Sequence, residues 1–439
     1  MADIESGIVL ALNHDGDGIV KEGKTAFVPG VLPGETVRFA RTRHHRQHDD
    51  ARLVEVVVAA PDRVVPACAH FGTCGGCAMQ HLAPAAQLAA KAAELAASLE
   101  RIGRVSPREW LAPLEGPVWN YRRRARLSAR YVRKKERSLV GFRERDTSYV
   151  AEIASCRVLA PPFDKLVAPL SALLSGLSIR ERVPQVEVTA GDRARALILR
   201  VLTPPSAADL EAIRAFGRAH DVTMYLQPGG LDTVVPLEGV PAALDYELPQ
   251  FGLRLAFEPS DFIQVNAAIN RDLVSRAVRL LDAGPGDRVL DLFCGLGNFT
   301  LALARGAGEA VGVEGDAGLI ERARANAARN GVANAAFHVG NLAADDMGAS
   351  PWWAGGFSHV LLDPPRAGAR EVLAAIARLA PRRIVYVSCH PGTLARDLGI
   401  LVHEHGYQLQ AAGVLDMFPH TTHVESMALL ESIHDTSAS

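Results

Sequence analysis

The chain has 439 residues, of which 48% are hydrophobic and 22% charged, with a formal net charge of −2. This composition excludes a disordered chain, and the length exceeds one ordinary core, so we expect two or three domains. No apolar run approaches membrane-spanning length, and the N-terminus lacks the pattern of a secretory signal. We therefore expect a cytoplasmic, monomeric protein whose six cysteines serve metal binding or catalysis rather than disulfides.

The first sixty residues predict a small antiparallel β-barrel. Short strand-like runs such as "GIVLALN", "TAFVPG" and "ETVRFART" alternate with turns rich in Gly, Asp and Pro. Between "ETVRFART" and the final run "ARLVEVVV" lies "RTRHHRQHDD", which predicts a polar hairpin tip.

An Ala-rich run from Pro84 to about Arg101 predicts a helix, because proline stands near its start and apolar residues recur at helical spacing. The chain then becomes basic, with eleven Lys or Arg against two Glu over residues 122–145. Alternation in "RARLSARYV" and "SLVGFRER" predicts strands with positive charge on one face, either a solvated face or one that attracts phosphate. The candidate RNA contacts are Arg122, Arg123, Arg124 and Arg126.

From about residue 256 onward, strands, Gly-rich turns and helices alternate, which predicts a parallel sheet with helices on both faces. In "GDRVLDLFCGLGNFTLALA" an apolar strand is followed by Gly295 and Gly297 and then by a helix. Glycines there allow a ligand to approach the backbone, and a helix N-terminus favours polar or anionic groups.

Polar residues end four successive predicted strands: Asp291, Glu314, Asn341 and Asp363. The carboxyl ends of parallel strands share one crevice, where open α/β sheets bind ligands. Glu314 lies where a carboxylate can accept both ribose hydroxyls. This arrangement resembles the class I S-adenosylmethionine-dependent methyltransferases. A dinucleotide oxidoreductase fits less well, because the turn lacks the usual third glycine and "DPPR" has no role there.

Cys68, Cys74 and Cys77 form C-x5-C-x2-C, and Cys156 lies 79 residues further on. Four thiolates with one distant member suit either an iron–sulfur cluster or a structural zinc, and spacing alone does not separate the two.

With the cysteine motif included, the chain resembles the RNA uracil-C5 methyltransferases, most closely the branch that modifies 23S ribosomal RNA and carries an N-terminal TRAM domain. The motifs are "CGGCAMQH", "FIQVN", "DLFCGLGNF", "DPPRAGA", "VSCHPGTLARDL" and "DMFPHTTHVESMALL". The resemblance implies a TRAM RNA-binding barrel over 1–60 and a β-rich central domain with a [4Fe–4S] cluster over 61–255. A Rossmann-like class I methyltransferase domain would span 256–439, with helix 84–101 packing on it.

The resemblance also implies the roles of single residues. It makes Cys389 the nucleophile and Glu425 the general base, and it assigns the cluster to the four cysteines named above. The residues it places against S-adenosylmethionine or the substrate are Gln264, Phe293, Gly295, Gly297, Asn298, Glu314, Asn341 and Asp363.

Cys389 ends a predicted strand, where a thiol can perform nucleophilic catalysis. Carbon 5 of uracil becomes nucleophilic when a thiolate adds to carbon 6, and a base must later remove the carbon-5 proton. We expect the following helix N-terminus to lower the pKa of Cys389 below the usual value of about 8.5. His420 and His423 are alternatives to Glu425 as the base, and Cys294 is expected to be a core residue.

Other functions fit less of the sequence. A radical S-adenosylmethionine enzyme would use C-x3-C-x2-C and would not need the polar strand ends. A non-catalytic RNA-binding iron–sulfur protein would leave Cys389 and Glu425 without a purpose. RNA is favoured over DNA, because the barrel suits single-stranded or looped RNA and the target base must be extruded. Transfer RNA stays open as a substrate beside 23S ribosomal RNA.

Overall fold

The computed structural model describes residues 3–342 and 350–433. Within them, the strands form a closed barrel, a six-stranded sheet, a short hairpin and an eight-stranded sheet, in that order along most of the chain. None of the helices in these residues is long and apolar enough to cross a membrane.

The N-terminal barrel is present, as the sequence predicts. Its strands are β1 (Ile4–Leu12), β2 (Gly18–Val20), β3 (Ala26–Val28), β4 (Thr36–His44) and β5 (Asp49–Val58). The barrel closes in the order β1-β2-β3-β5-β4, and the predicted polar hairpin tip joins β4 to β5. Alternate residues such as Val9, Val20 and Phe39 fill its interior.

The predicted helix follows the barrel. It is α1 (Pro84–Ser98), which continues as a π-helical turn over Leu99–Gly103 and is followed by the short strand β6 (Glu109–Trp110). Proline at its first turn fits because the amide that proline lacks would have no helical partner there.

A mixed six-stranded sheet forms the centre of the chain. Its strands are β7 (Arg124–Val132), β8 (Arg137–Gly141), β9 (Gln185–Ala190), β10 (Arg195–Arg200), β11 (Thr223–Gln227) and β12 (Val235–Pro236). Its order is β12-β11-β10-β9-β7-β8, and β7 and β8 coincide with the two predicted basic strands. Helices α2 (Val167–Gly176) and α3 (Ala207–His220) contribute Leu170 and Ile213 to its core.

The C-terminal part is the predicted α/β unit. After the hairpin of β13 (Asp245–Leu248) and β14 (Leu253–Ala256) come β15 (Arg288–Leu292), β16 (Glu309–Glu314), β17 (Ala335–Val339), β18 (His359–Leu362), β19 (Arg383–Ser388), β20 (Tyr407–Leu415) and β21 (Glu425–Ser432). The helices are α4 (Ala267–Leu281), α5 (Thr300–Leu303), α6 (Ala317–Arg329), α7 (Arg370–Leu379) and α8 (Pro391–His405). The sheet order is β17-β16-β15-β18-β19-β21-β20-β6, parallel from β17 to β19 and antiparallel on both sides of β21.

Successive residues of the parallel strands face opposite layers of the core. Val289 and Leu361 belong to one hydrophobic cluster, whereas Leu290 and Val360 belong to the other. Both faces are therefore covered, which explains why these strands read as continuous apolar runs.

Helix α1 lies on the second of these layers, against α8 and β20. Leu88 and Leu95 share their cluster with Leu394 and Leu398 of α8, and β6 extends the sheet beyond β20. The segment between barrel and central sheet is thus built into the C-terminal unit. The predicted domain boundaries near residues 60 and 255 stay predictions.

Candidate active site

The sheet register brings three reactive side chains to one edge. Leu362 of β18 pairs with Tyr386 of β19, and Ser388 of β19 pairs with Ser426 of β21. Asp363 follows β18, Cys389 follows β19, and Glu425 begins β21 just before the paired Ser426. Since β21 runs antiparallel, its first residue lies at the edge where the parallel strands end, so Cys389 and Glu425 are neighbours across adjacent strands.

Burial dominates the electrostatics of the two carboxylates. The pKa of Glu425, which is 9% exposed, is raised to about 8 by burial and then by the Asp363 charge, while Lys91 and Arg366 oppose the shift. Burial also raises the pKa of Asp363 to about 7, although the Gln264 amide lies 3.4 Å from its Oδ2. A carboxylate with a raised pKa is a stronger base, which suits Glu425 for proton abstraction.

The expectation that the helix N-terminus lowers the pKa of Cys389 is wrong for the free protein. Burial, followed by the charges of Glu425 and Asp363, raises the pKa to about 11. The Arg366 guanidinium acts in the opposite direction but does not outweigh them. The thiol is therefore mostly protonated near neutral pH in the ligand-free site.

The two histidines named as alternatives have other surroundings. His420 is buried, its Nδ1 lies 3.2 Å from Nε2 of Gln87, and its ring lies 4.0 Å from that of Trp119. Burial lowers the pKa of His420 to about 4 and also lowers that of His423. Both pKa shifts make the rings weaker bases than the Glu425 carboxylate.

The glycine-rich turn after β15 has the backbone that a bound ligand needs. Gly295 and Gly297 have φ of +55° and +92°, and even Phe293 is left-handed at +67°. A Cβ on Gly297 would lie 3.3 Å from Leu301 and from Phe337. A non-glycine residue held in this region costs about 1–3 kcal/mol and persists where the surroundings impose it, often at functional sites.

Glu314 closes the turn at the end of β16. Its Oε2 accepts from the amide of Gly295 at 3.2 Å, and its Oε1 accepts from Gly315 at 2.7 Å. The carboxylate thus lies directly beside the glycine turn, as the sequence predicts for a ribose-binding group.

Two other predicted cofactor contacts, Asn298 and Asn341, have surroundings that differ from those of the glycine turn and Glu314. Asn298 Nδ2 donates to Asn270 Oδ1 at 2.9 Å, and Asn298 Oδ1 accepts from Asn270 Nδ2 at 3.1 Å and from the Tyr246 hydroxyl at 2.9 Å. The Asn298 amide is therefore part of a hydrogen-bond network within the protein. Asn341 is exposed beyond the end of β17. Cys294 is buried at 3% exposure in the core, as predicted.

Asp291 provides a structural test of whether S-adenosylmethionine fits. The residue is fully buried, its Oδ2 accepts from Thr300 at 2.5 Å, and its Oδ1 has no hydrogen-bond partner among the described residues. Burial raises its pKa to about 8. A carboxylate oxygen left without a donor behind the glycine turn fits a site completed by a polar ligand.

The four predicted metal ligands converge. Cys68, Cys74, Cys77 and Cys156 are free, partly buried thiols that line a cavity of about 20 Å³ together with Trp119 and Phe142. Burial raises the pKa of Cys74 to about 11 and that of Cys77 to about 12, and neighbouring cysteine charges add to both shifts. Such thiols stay protonated unless a metal stabilises the thiolates.

The separation of the sulfur atoms discriminates between metals. Tetrahedral zinc with Zn–S bonds of about 2.3 Å needs sulfurs about 3.8 Å apart. Within the described residues, no three of these cysteines hold their sulfur atoms within 4.8 Å of one another. The four-cysteine cradle is therefore wider than a single zinc ion requires.

Gly75 and Gly76 lie in a turn next to the cradle, but neither is glycine because of its backbone conformation, since neither has a positive φ. Instead, a Cβ on Gly75 would lie 3.0 Å from the carbonyl oxygen of Arg143, and one on Gly76 would lie 3.0 Å from the ring of Phe142. These glycines allow close packing against the chain after β8.

The predicted basic stripe is only partly exposed. Arg123 is 7% exposed and pairs with Asp192 at 2.7 Å, and Arg124 donates to the carbonyl of Ser260 at 2.8 Å. Arg122 donates to the backbone of Arg124, whereas Arg126 keeps 61% of its side chain exposed. Burial of Arg123 corrects the idea that the whole stripe faces solvent, and the RNA-binding role of these arginines stays a prediction.

Three contributing residues were not singled out from the sequence. Arg366 is the cation that opposes the raised pKa of both Cys389 and Glu425. Gln87 and Lys91 lie on the buried face of α1 together with Leu88 and Leu95. The sequence signal that could have identified Gln87 and Lys91 is that two polar residues occupy positions on the apolar face of the predicted helix.

The parallel sheet, its glycine turn and the buried carboxylates at the strand ends define a class I S-adenosylmethionine-dependent methyltransferase. Residues 354–433 match the model of the tRNA (uracil-5-)-methyltransferase family, and residues 283–361 match that of a methyltransferase domain. The chain belongs to the RNA uracil-C5 methyltransferase family, as its similarity to curated members over nearly its whole length shows.

Among those relatives, the 23S rRNA (uracil(1939)-C(5))-methyltransferase RlmD of Stenotrophomonas maltophilia strain K279a is 51% identical over 96% of both chains. The protein of the same name from Alkalilimnicola ehrlichii is 52% identical over 96% of this chain and 95% of its own. Among solved structures, the Pyrococcus abyssi tRNA (uracil-54, C5)-methyltransferase in complex with S-adenosyl-L-homocysteine covers 97% of this chain and 100% of its own. Its TM-score of 0.74 at 24% identity shows a shared fold.

Proposed function

We propose that this enzyme methylates carbon 5 of a uridine in 23S ribosomal RNA, at the position that its relatives' names number 1939. The observation that carries the proposal is the identity of about half of all residues to such enzymes over 96% of the chain. The neighbouring positions of Cys389 and Glu425 supply the chemistry that this reaction needs.

The first step is addition of the Cys389 sulfur to carbon 6 of the flipped uracil. This forms an S–C6 bond and moves the ring electrons onto carbon 5 and the carbonyl oxygen. The thiol must first lose its proton to solvent, and its raised pKa shows that the free site disfavours this. The positive charge of a bound sulfonium would favour the thiolate, so we expect ordered activation on cofactor binding.

S-adenosylmethionine supplies the electrophilic methyl group. Asp291, Glu314 and the backbone turn at Gly295 and Gly297 are the residues that would hold it, and Asp363 with Gln264 lies between that site and Cys389. When carbon 5 takes the methyl group, the bond from that group to the sulfonium sulfur breaks and S-adenosylhomocysteine is the leaving group. Carbon 5 keeps its proton, so the ring stays joined to the Cys389 sulfur.

Glu425 then removes the carbon-5 proton, the double bond between carbons 5 and 6 re-forms, and the Cys389 thiolate leaves. The register that pairs Ser388 with Ser426 supports this role, because it gives nucleophile and base adjacent positions. Burial of Glu425 raises its pKa to about 8, which strengthens it as a base.

The four cysteines would hold a [4Fe–4S] cluster, as the family resemblance implies, and this assignment over zinc is supported by the described residues, in which no three of their sulfur atoms lie within 4.8 Å of one another. Cys68, Cys74, Cys77 and Cys156 would be the ligands. The cluster would join the segment after the barrel to the central domain. The barrel itself would act as a TRAM-type RNA-binding module, and the location would be the cytoplasm.

The decisive experiment maps 5-methyluridine in 23S ribosomal RNA and transfer RNA from a strain that lacks the enzyme. We expect the mark to disappear from one 23S position and to return when the wild-type gene, but not the Cys389→Ala gene, is restored. Loss of the mark from transfer RNA instead would overturn the assignment of the RNA while leaving the chemistry intact.

A further inference from the structure

The turn that leads into Glu425 is held by helix α1. Lys91 is 2% exposed, and its ammonium group donates to Oδ1 of Asp416 at 2.7 Å and to the carbonyl of Phe418 at 2.9 Å. Asp416 follows the last residue of β20, so this ion pair fixes the start of the connection from β20 to β21.

Gln87, one helical turn before Lys91, fixes the middle of the same connection. It is 1% exposed, its Oε1 accepts from the amide of His420 at 2.9 Å, and its Nε2 lies 3.2 Å from His420 Nδ1. The same Nε2 also donates to the carbonyls of Met79 and Leu82 at 2.9 and 2.8 Å. One buried amide therefore joins the segment after Cys77 to the turn before Glu425.

His420 has a conformation that depends on this support. Its φ is +67°, a left-handed value that few residues other than glycine adopt. Its carbonyl accepts from the amides of Ala78 at 2.9 Å and Met79 at 3.0 Å. A strained residue persists only where its surroundings over-determine it, and here α1 and the segment after Cys77 supply those surroundings.

We propose that Gln87 and Lys91 are positioning residues that hold Glu425 against Cys389, so that they act on proton abstraction and not on methyl transfer. The proposal rests on the proposed function, in which Glu425 is the base. Cys389 lies between β19 and α8, whereas the side-chain bonds of Gln87 and Lys91 go to the 416–420 turn and to the carbonyls of Met79 and Leu82.

The charge of Lys91 adds a second effect on the same base. The groups that act on Glu425 are Asp363, which raises its pKa together with burial, and Lys91 and Arg366, which lower it. Cys389 is the other ionisable neighbour. Removing the Lys91 charge should therefore raise the pKa of Glu425 further.

The test is a single turnover with a target RNA fragment and S-adenosylmethionine labelled in the methyl group. Formation and decay of the methylated covalent protein–RNA adduct are followed on denaturing gels. We expect Gln87→Leu to form the methylated adduct at nearly the wild-type rate and to release it between about 10- and 100-fold more slowly, because the base is displaced.

Gln227→Leu is the matched control. Gln227 is 3% exposed and lies in the central sheet, where its amide bonds to the carbonyl of Gly230 at 3.3 Å. The substitution removes a buried amide of the same kind without touching the turn, so formation and decay of the adduct should both stay at wild-type rates. Thermal melting and metal content are measured for each variant to identify generally damaged protein.

Lys91→Met tests the effect of charge through the pH dependence of adduct decay, which would not change if Lys91 had only a structural role. The pH at which adduct decay reaches half its maximum should shift upward relative to wild type, because a higher pKa keeps Glu425 protonated to higher pH. If Gln87→Leu does not fold, Gln87→Met replaces it, since this variant keeps the length of the side chain, adds no charge and loses the hydrogen bonds of the amide.

The outcomes separate this proposal from the function on which it depends. Adduct accumulation in Glu425→Gln with normal decay in both Gln87 and Lys91 variants would overturn the positioning role alone. Equal slowing of adduct formation and decay in Gln87→Leu would also overturn it, since that is general damage. Absence of any methylated adduct in Glu425→Gln would refute the assignment of the base itself.

Discussion

Cys389 and Glu425 occupy the next positions beyond the Ser388–Ser426 pair on the antiparallel strands β19 and β21. This relationship places a nucleophile and a base side by side at the edge where the parallel strands end. It also separates their roles, since each is carried by its own strand. Each role can therefore be tested by a substitution that leaves the other residue in place.

Replacing either residue should block a different step. Cys389→Ala should form no covalent RNA complex and transfer no methyl group. Glu425→Gln should add to the RNA and methylate it, then release it roughly 10²- to 10⁴-fold more slowly, so that a labelled adduct accumulates. RNA with 5-fluorouridine at the target should trap the wild-type enzyme in the same way. A labelled adduct with Cys389→Ala would show that the nucleophile is misassigned.

Adduct release should depend on pH through Glu425. Its carboxylate must be ionised to accept the proton, and its pKa is raised to about 8. Release should therefore accelerate about tenfold per pH unit well below pH 8 and level off above it. The measurement is the decay of preformed methylated adduct from pH 6 to pH 9, and a flat profile would contradict Glu425 as the base.

Asp291→Asn should raise the thermal stability of the protein and weaken its binding of S-adenosylmethionine. The substitution removes a buried carboxylate whose Oδ1 has no partner in the described part of the chain, so the thermal midpoint should rise. It also replaces one carboxyl oxygen by an NH2 donor and so removes an acceptor, which should weaken S-adenosylmethionine binding roughly 10- to 100-fold. Calorimetric titration and melting measure both effects. Unchanged affinity would place the cofactor away from Asp291.

Anaerobically purified protein should be brown and contain about four irons per chain. Cys156→Ser should lose the metal and lower the melting temperature, because Cys156 joins the central part of the chain to the other three ligands. Cys294→Ser is the control, since Cys294 is buried elsewhere in the core. Stoichiometric zinc without a visible absorbance band would refute the iron–sulfur assignment.

Exposed arginines of β7 should contribute to RNA affinity, and the buried Arg123 just before this strand should not. Arg126 and Arg130 are both exposed, so replacing them with Gln should weaken RNA binding and reduce the salt slope by about 0.7 for each phosphate that is no longer neutralised. Arg123→Gln should instead lower the melting temperature, because it removes the buried Arg123–Asp192 ion pair and leaves Asp192 with Arg271 as its ion-pair partner. Identical salt slopes for the wild type and the Arg126/Arg130 variant would show that the basic face of β7 is exposed to solvent without binding RNA.

Local patterns in the sequence were sufficient for much of the fold. Turn residues at short intervals predicted the barrel, helical spacing predicted α1, and alternation of strands with glycine turns predicted the parallel sheet. These features depend on neighbours within a few residues, so they can be read before folding. The four cysteines were assigned to one metal site from their number and the expected reducing compartment, without knowledge of the distances between their sulfur atoms.

What the sequence could not supply were relationships between residues far apart in the chain. The mixed order of the central sheet, the joining of β6 to the C-terminal sheet and the pairing of β19 with β21 depend on strand register. The pKa of Cys389 was predicted in the wrong direction, because the helix N-terminus was visible in the sequence, whereas the burial of the thiol and the neighbouring charges of Glu425 and Asp363 were not.

The sequence by itself determined the class of chemistry, because Cys389, the glycine turn and the polar strand ends are local motifs whose residue types the reaction requires. Only the tertiary structure decided which charges lie together. It buried Arg123 against Asp192, and it brought Lys91 and Gln87, more than three hundred residues away, to the turn before Glu425. Burial and Coulomb interactions act through space and fall with distance, so the environment of a catalytic group is a property of the folded chain.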